Sequence, residues 1–221
     1  MSETPASIAP TAPTAPTAPT APTAPTASTT SAASSTPTPT TAPPVSAADP
    51  CALLADGLDR SRERFDHALD GVTLEQANAR PASGPAPRID SLTWLAWHTA
   101  REIDLQVSAL AGAEPLWTGA GFSARFALPL PDGTEDWRHA PEQTALVRVN
   151  DLALLIDYLD AACALAHEYL DGLEAAALDE VVDRSWDPPV TRAARLVSII
   201  DDAAQHSGQA VYARRLLGLE G

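Results

Sequence analysis

The sequence contains no lysine: its 14 Lys+Arg residues are all arginine. With abundant alanine, that bias points to a GC-rich coding sequence more than to a function. Cysteine is nearly absent too. Cys51 and Cys163 lie far apart, with neither the spacing of a metal site nor that of a redox pair, so both are expected to be reduced thiols in a cytoplasmic protein. No apolar run approaches the ~20 residues of a membrane span. The opening Met1-Ser-Glu-Thr-Pro5 lacks the basic and then apolar segments of a signal peptide. There is no Gly-rich phosphate loop, no Gly-x-Ser-x-Gly elbow and no Cys-x-x-Cys, which weighs against nucleotide hydrolysis and a nucleophile-elbow esterase. The net charge of −15 repels phosphate backbones, so nucleic acid is not an expected partner.

The first 48 residues hold 11 of the 21 prolines and one charged residue, Glu3. Ala-Pro-Thr recurs from Ala9 through Thr26. Such a stretch cannot bury enough apolar surface to offset the entropy of ordering it. Residues 1–48 are therefore expected to be a disordered tail, and 49–221 a single domain with a real core.

The domain reads as four long helical segments. The first spans about Pro50 to Asp70, with Ala52, Leu53, Leu58, Phe65 and Leu69 as its stripe and Gly71 as its stop. Thr73 and Gln76 have capping-box spacing, and a loop follows through Arg80-Pro81 and residues 84–87. The second helix spans about Asp90 to Leu110, capped by Asp90 or Ser91, with Leu92, Leu95, Thr99, Ile103 and Leu110 inward. The third runs from about Asn150 to Leu173, with Leu152, Leu155, Ile156, Leu159, Cys163 and Leu170 inward. The fourth starts at a capping Thr191 and ends near Gly218, its seam being Leu196, Ile199, Ala203, His206, Ala210 and Leu217. Residues 113–148 read as a long irregular connection, a length that is more often functional than filler. No segment reads as a strand. The expected fold is all-α: a four-helix bundle with long connections.

Asp202 and His206 lie one turn apart on the fourth helix and share a face. Two readings are open: a structural Asp–His hydrogen bond, or a shared metal ion completed by His98, which sits beside Trp94 on the second helix. Glu102, one turn after His98, is a candidate partner for an imidazole N–H or a solvated charge. Asp104 lies about 240° around the helix from His98 and is not expected to join it. Gln209 is placed to orient His206, and Gly208 to allow close helix packing. His67 reads as exposed, and Cys163 with His167 as packing rather than a nucleophile and base. In the long connection, His139 could border a pocket. Arg125 and Arg138 are candidates for binding an anionic substrate or the carboxylates of a thiol cofactor.

The segments Trp94-Leu-Ala-Trp-His98 and Asp202-Ala-Ala-Gln-His206-Ser-Gly-Gln209 together resemble the DinB-like superfamily, and in particular its DUF664 branch. Leu116-Trp-Thr118, Phe126-Ala-Leu-Pro-Leu-Pro131, Trp186-Asp-Pro-Pro-Val-Thr191 and Arg195-Leu-Val-Ser198 extend the resemblance over residues 50–219. It implies a four-helix bundle of DinB/YfiT-like type holding one divalent metal, Zn or Ni, through His98, Asp202 and His206. Many members carry His where this chain has Asp202. The thiol-dependent maleylpyruvate isomerases of the superfamily use His, Glu and His, one methylene longer at the carboxylate. The implied activity is a metal-dependent S-transferase or isomerase with a mycothiol-type thiol as cosubstrate and a small-molecule substrate. A non-catalytic helical module and a metal-dependent hydrolase are the alternatives. Related bundles pair through helix faces, so a homodimer is also an expectation.

Overall fold

The computed structural model describes residues 49–81 and 89–219. The expected tail at 1–48, and most of the loop after Pro81, lie outside the described residues.

Each long helix begins at a residue that satisfies its first backbone N–H groups. Helix α1, Pro50–Leu69, is capped by Asp49, whose carboxylate accepts from the N–H of Cys51 and Ala52. A short helix α2, Leu74–Asn78, opens with the reciprocal Thr73/Gln76 capping box. Ser91 caps α3, Leu92–Ala111, and Gly112 ends it at φ 66°, a left-handed conformation suited to glycine. After α4 (Leu116–Gly119), α5 (Phe122–Phe126) and α6 (Pro141–Thr144) come α7, Leu152–Asp171, capped by Asp151, and α8, Arg192–Leu216, capped by Thr191.

Helix α1 packs on α7 and α8, and α3 packs on the same two. The four long helices therefore form a ring in which α1 and α3 are diagonal, as are α7 and α8. Helix α3 is the most enclosed. It is buried nearly all round, from Leu92 through Ser108, and its mixture of Trp, His, Arg and Asp inside the core marks it as the helix that carries the site.

The sequence expectations need correction in four places. Leu53 and Ile156, assigned to core stripes, are exposed; each sits at the margin of a stripe that its neighbours already fill. Two short strands exist, β1 (Val181–Asp183) and β2 (Val190–Thr191), paired antiparallel with a bulge. At two or three residues they are too short to show a period-2 pattern. The long connection is not irregular throughout. It holds α4, α5, a 3₁₀ turn at Asp136–Arg138, and α6. Finally, a Cβ on Gly208 would meet nothing within 4 Å, whereas one on Gly57 would come within 2.9 Å of Ile200 Cγ2. Gly57, on α1, is the glycine that lets two helices approach closely.

Candidate metal centre and adjoining cleft

Three elements build the site. Helix α3 contributes Trp94, His98 and Glu102 at four-residue spacing, so all three project from one face. Helix α8 contributes Asp202 and His206. The 3₁₀ turn in the α5–α6 connection contributes Asp136.

His98 is buried, and its ring stacks on Trp94 at 4.5 Å and 9°. Its Nδ1 lies 2.9 Å from Asp136 Oδ2. A carboxylate can only accept there, so Nδ1 carries the proton and Nε2 is the nitrogen left for a ligand. The His206 ring stands perpendicular to His98 at 4.6 Å between centroids. Its Nδ1 is 2.8 Å from Gln209 Oε1, which again leaves Nε2, 3.4 Å from Asp202 Oδ1. Ligand atoms of His98, Asp202 and His206 all lie within 4.8 Å of one another. The structure thus brings together the three residues expected from the sequence, with Asp202 paired to His206 and within 4.8 Å of His98.

Two carboxylate oxygens here are buried without a hydrogen-bond partner: Asp202 Oδ2 and Asp136 Oδ1. A buried carboxylate oxygen without a donor is costly. Burial pulls the His206 pKa down, but the hydrogen bond and charge of Asp202, aided by Gln209 and the charge of Asp90, outweigh burial and leave it raised. Glu102 joins His98 and Asp136 in a second close group. Burial, with the charge of Asp136 next, pushes its carboxyl up to about 7, although Gln106 Nε2 donates to it at 3.0 Å. Glu102, Asp136 and Asp202 line a cleft of about 720 Å³, together with Trp117, Trp137, Trp186, Arg101 and Arg195.

Residues 53–218 match the family model described as mycothiol-S-transferase. The chain belongs to the mycothiol-S-transferase family. No curated protein is matched by it. Among solved structures, a conserved protein from Enterococcus faecalis is 53% identical, with a TM-score of 0.70, over 75% of this chain and 95% of that one.

Other candidates in this family member lie elsewhere. Arg125 pairs with Asp157 at 2.8 Å on the surface. Arg138 is 3.5 Å from Glu135 and packs over Trp137. Neither side chain lines the cleft; the arginines that do are Arg101 and Arg195. His67 is exposed, and His167 pairs with Asp59 at 2.7 Å rather than with Cys163. Burial pushes the Cys163 thiol up to about 12, which suits packing and not nucleophilic attack. His139 hydrogen-bonds Thr134 Oγ1 at 2.8 Å and stacks on Trp97. Asp104 faces away from the histidines. It accepts from the N–H of Leu116 and Trp117 and from the hydroxyls of Ser108 and Tyr158.

The sequence offered Glu102 as a candidate partner of His98, beside its reading as a solvated charge, and did not single out Asp136, which holds the ring. The only signal was an acidic residue just before Trp137-Arg138-His139 in a connection too long to be filler. Arg101 was missed because a buried arginine inside an apolar helix face cannot be told from a surface one by spacing.

Proposed function

We propose that this chain is a divalent-metal-dependent thiol transferase or isomerase acting on a small molecule, with a mycothiol-type thiol as cosubstrate. His98, Asp202 and His206 would hold the ion, Zn or Ni being suited to two imidazoles and one carboxylate. The observation that carries the reading is the Asp202 carboxylate, whose ligand atom lies within 4.8 Å of those of two histidines while its Oδ2 is buried without a donor. A cation is the guest that offsets that arrangement. When bound, it would supply Lewis acidity that lowers the pKa of a thiol beside it towards neutrality.

The chain's own residues do the rest. Asp136 fixes the His98 tautomer and ring orientation through Nδ1–H, and Gln209 does the same for His206. Glu102, with a pKa near the working pH, can take the proton that a thiol gives up. Trp117 and Leu105 give the cleft an apolar wall, which strengthens electrostatic interactions within it. With three protein ligands, a four-coordinate ion would have room for one further ligand.

The reading is tested by conjugation of an electrophile by the zinc-loaded protein, with and without mycothiol. Conjugate formation should require both thiol and His206. Equal turnover by His206→Ala would contradict it. One observation favours a second reading, metal-assisted hydrolysis: Glu102 is also placed to act as general base towards water. Product formation without thiol would select it.

A further inference from the structure

Arg101 precedes Glu102 on α3 and lines the same cleft, yet it is only 1% exposed. Among the described residues, no carboxylate lies within salt-bridge distance of it. Its Nη2 donates to two carbonyl oxygens of the turn after Pro131, Asp132 O at 3.2 Å and Thr134 O at 3.4 Å, both long. Its Nε and Nη1 have no acceptor. The rings of Trp97 and Trp117 flank the guanidinium at 5.6 and 4.8 Å, and their indole N–H groups also lack an acceptor. Four donor nitrogens around one buried cation are therefore unsatisfied, a rarity in folded proteins. The nearby acids do not answer them. Asp104 is committed to four donors. Asp136 accepts from His98 through Oδ2, and its Oδ1, though without a partner, forms no ion pair with Arg101 among the described residues.

We infer that Arg101, with the indole N–H of Trp117, forms an anion subsite in the cleft that receives the carboxylate of a small monocarboxylate ligand. A carboxylate offers Arg101 charge-assisted, paired hydrogen bonds in place of two long neutral ones. The unpartnered nitrogens have no open surface of their own, so the carboxylate reaches them by displacing the turn carbonyls of Asp132 and Thr134 from Nη2. The rest of the cleft selects for a single negative charge. Glu102, Glu135, Asp136 and Asp202 line it, so a second carboxylate on the ligand would be repelled. The inference rests on the proposed function only in taking this cleft as the substrate cleft.

The test titrates the full chain, metal-free and zinc-loaded, with benzoate and with its neutral isostere benzamide. Indole ¹H–¹⁵N resonances are followed and assigned with Trp97→Phe and Trp117→Phe. Benzoate should shift the Trp117 indole signal saturably, and benzamide should not. Arg101→Gln should weaken benzoate binding by about 10- to 100-fold. Should that variant not fold by circular dichroism, Arg101→Lys and Trp117→Phe carry the test. Each should weaken benzoate without changing the response to benzamide. Unmoved indole signals, equal responses to both probes, or undiminished benzoate binding in the folded variants would overturn the inference. An Arg101 that pairs internally with Asp136 would give the first of these results. Benzoate binding through Arg101 in a chain that takes up no metal would refute the metal reading and leave this one standing.

Discussion

Asp136 is the residue on which the geometry of His98 depends. Replacing it by Ala removes the only acceptor on Nδ1 and frees the ring to change tautomer. Loss of such a partner weakens metal binding by about 10- to 100-fold. Competition of the Asp136→Ala variant against a chelator should show a shift of that size, and an unchanged affinity would deny Asp136 its role. Glu102 makes a different prediction, through pH. Its pKa in the folded state, about 7, lies above the ordinary carboxyl value. The folded state therefore binds the proton more tightly, and metal-free protein loses stability as pH rises from about 4.5 through 7. Glu102→Gln should remove that loss. It should stabilise the metal-free protein by about 1–2 kcal/mol at pH 8, after allowance for solvent screening, and have little effect at pH 4.5. His206 adds to the same trend. Its raised pKa gives a contribution that is full below about 6.5 and lost as pH rises through the folded value. Denaturation of both proteins at the two pH values checks the sign.

At the scale of elements, what could be read from the sequence was what local chemistry determines. Thr73 with Gln76, Ser91 and Thr191 cap their helices through short local signals, and such signals need no knowledge of the fold. The pairing of His98 with Asp202 and His206 was legible because two helices carry short, recognisable runs around them. Asp136 was not legible. It lies 38 residues from His98 in the sequence, in the connection that follows α3, and only the packing of that connection decides which of its carboxylates turns inward. Helical contacts that depend on tertiary approach were equally hidden, as Gly57 and Gly208 show. Gly57→Ala would drive a methyl into Ile200 Cγ2, 2.9 Å away. Even with alanine's better helix propensity, stability should fall by about 1–2 kcal/mol, whereas Gly208→Ala, in open space, should be neutral or slightly stabilising. Thermal denaturation of the pair distinguishes them. The hydroxyl of Tyr158 ties α7 to Asp104, which holds the first turn of α4 and with it Trp117 at the cleft wall. Tyr158→Phe should cost about 1–2 kcal/mol and loosen that wall without touching the histidines.

For the whole molecule, the ring of four long helices is a rigid frame, and the long connection between α3 and α7 is what makes it specific. That connection supplies the partner of His98, Trp117 and Trp137 of the cleft, and the turn over Arg101. Among the described residues no helix is long and apolar enough to cross a membrane. In the proposed function, two helices of this frame hold one divalent ion between His98, Asp202 and His206. Elemental analysis of the purified chain measures it directly. One equivalent of zinc or nickel is expected in the wild type, lost in both His206→Ala and Asp202→Ala while circular dichroism shows the bundle intact. A wild-type chain that holds no ion after supplementation, or variants that keep it, would rule out this metal centre.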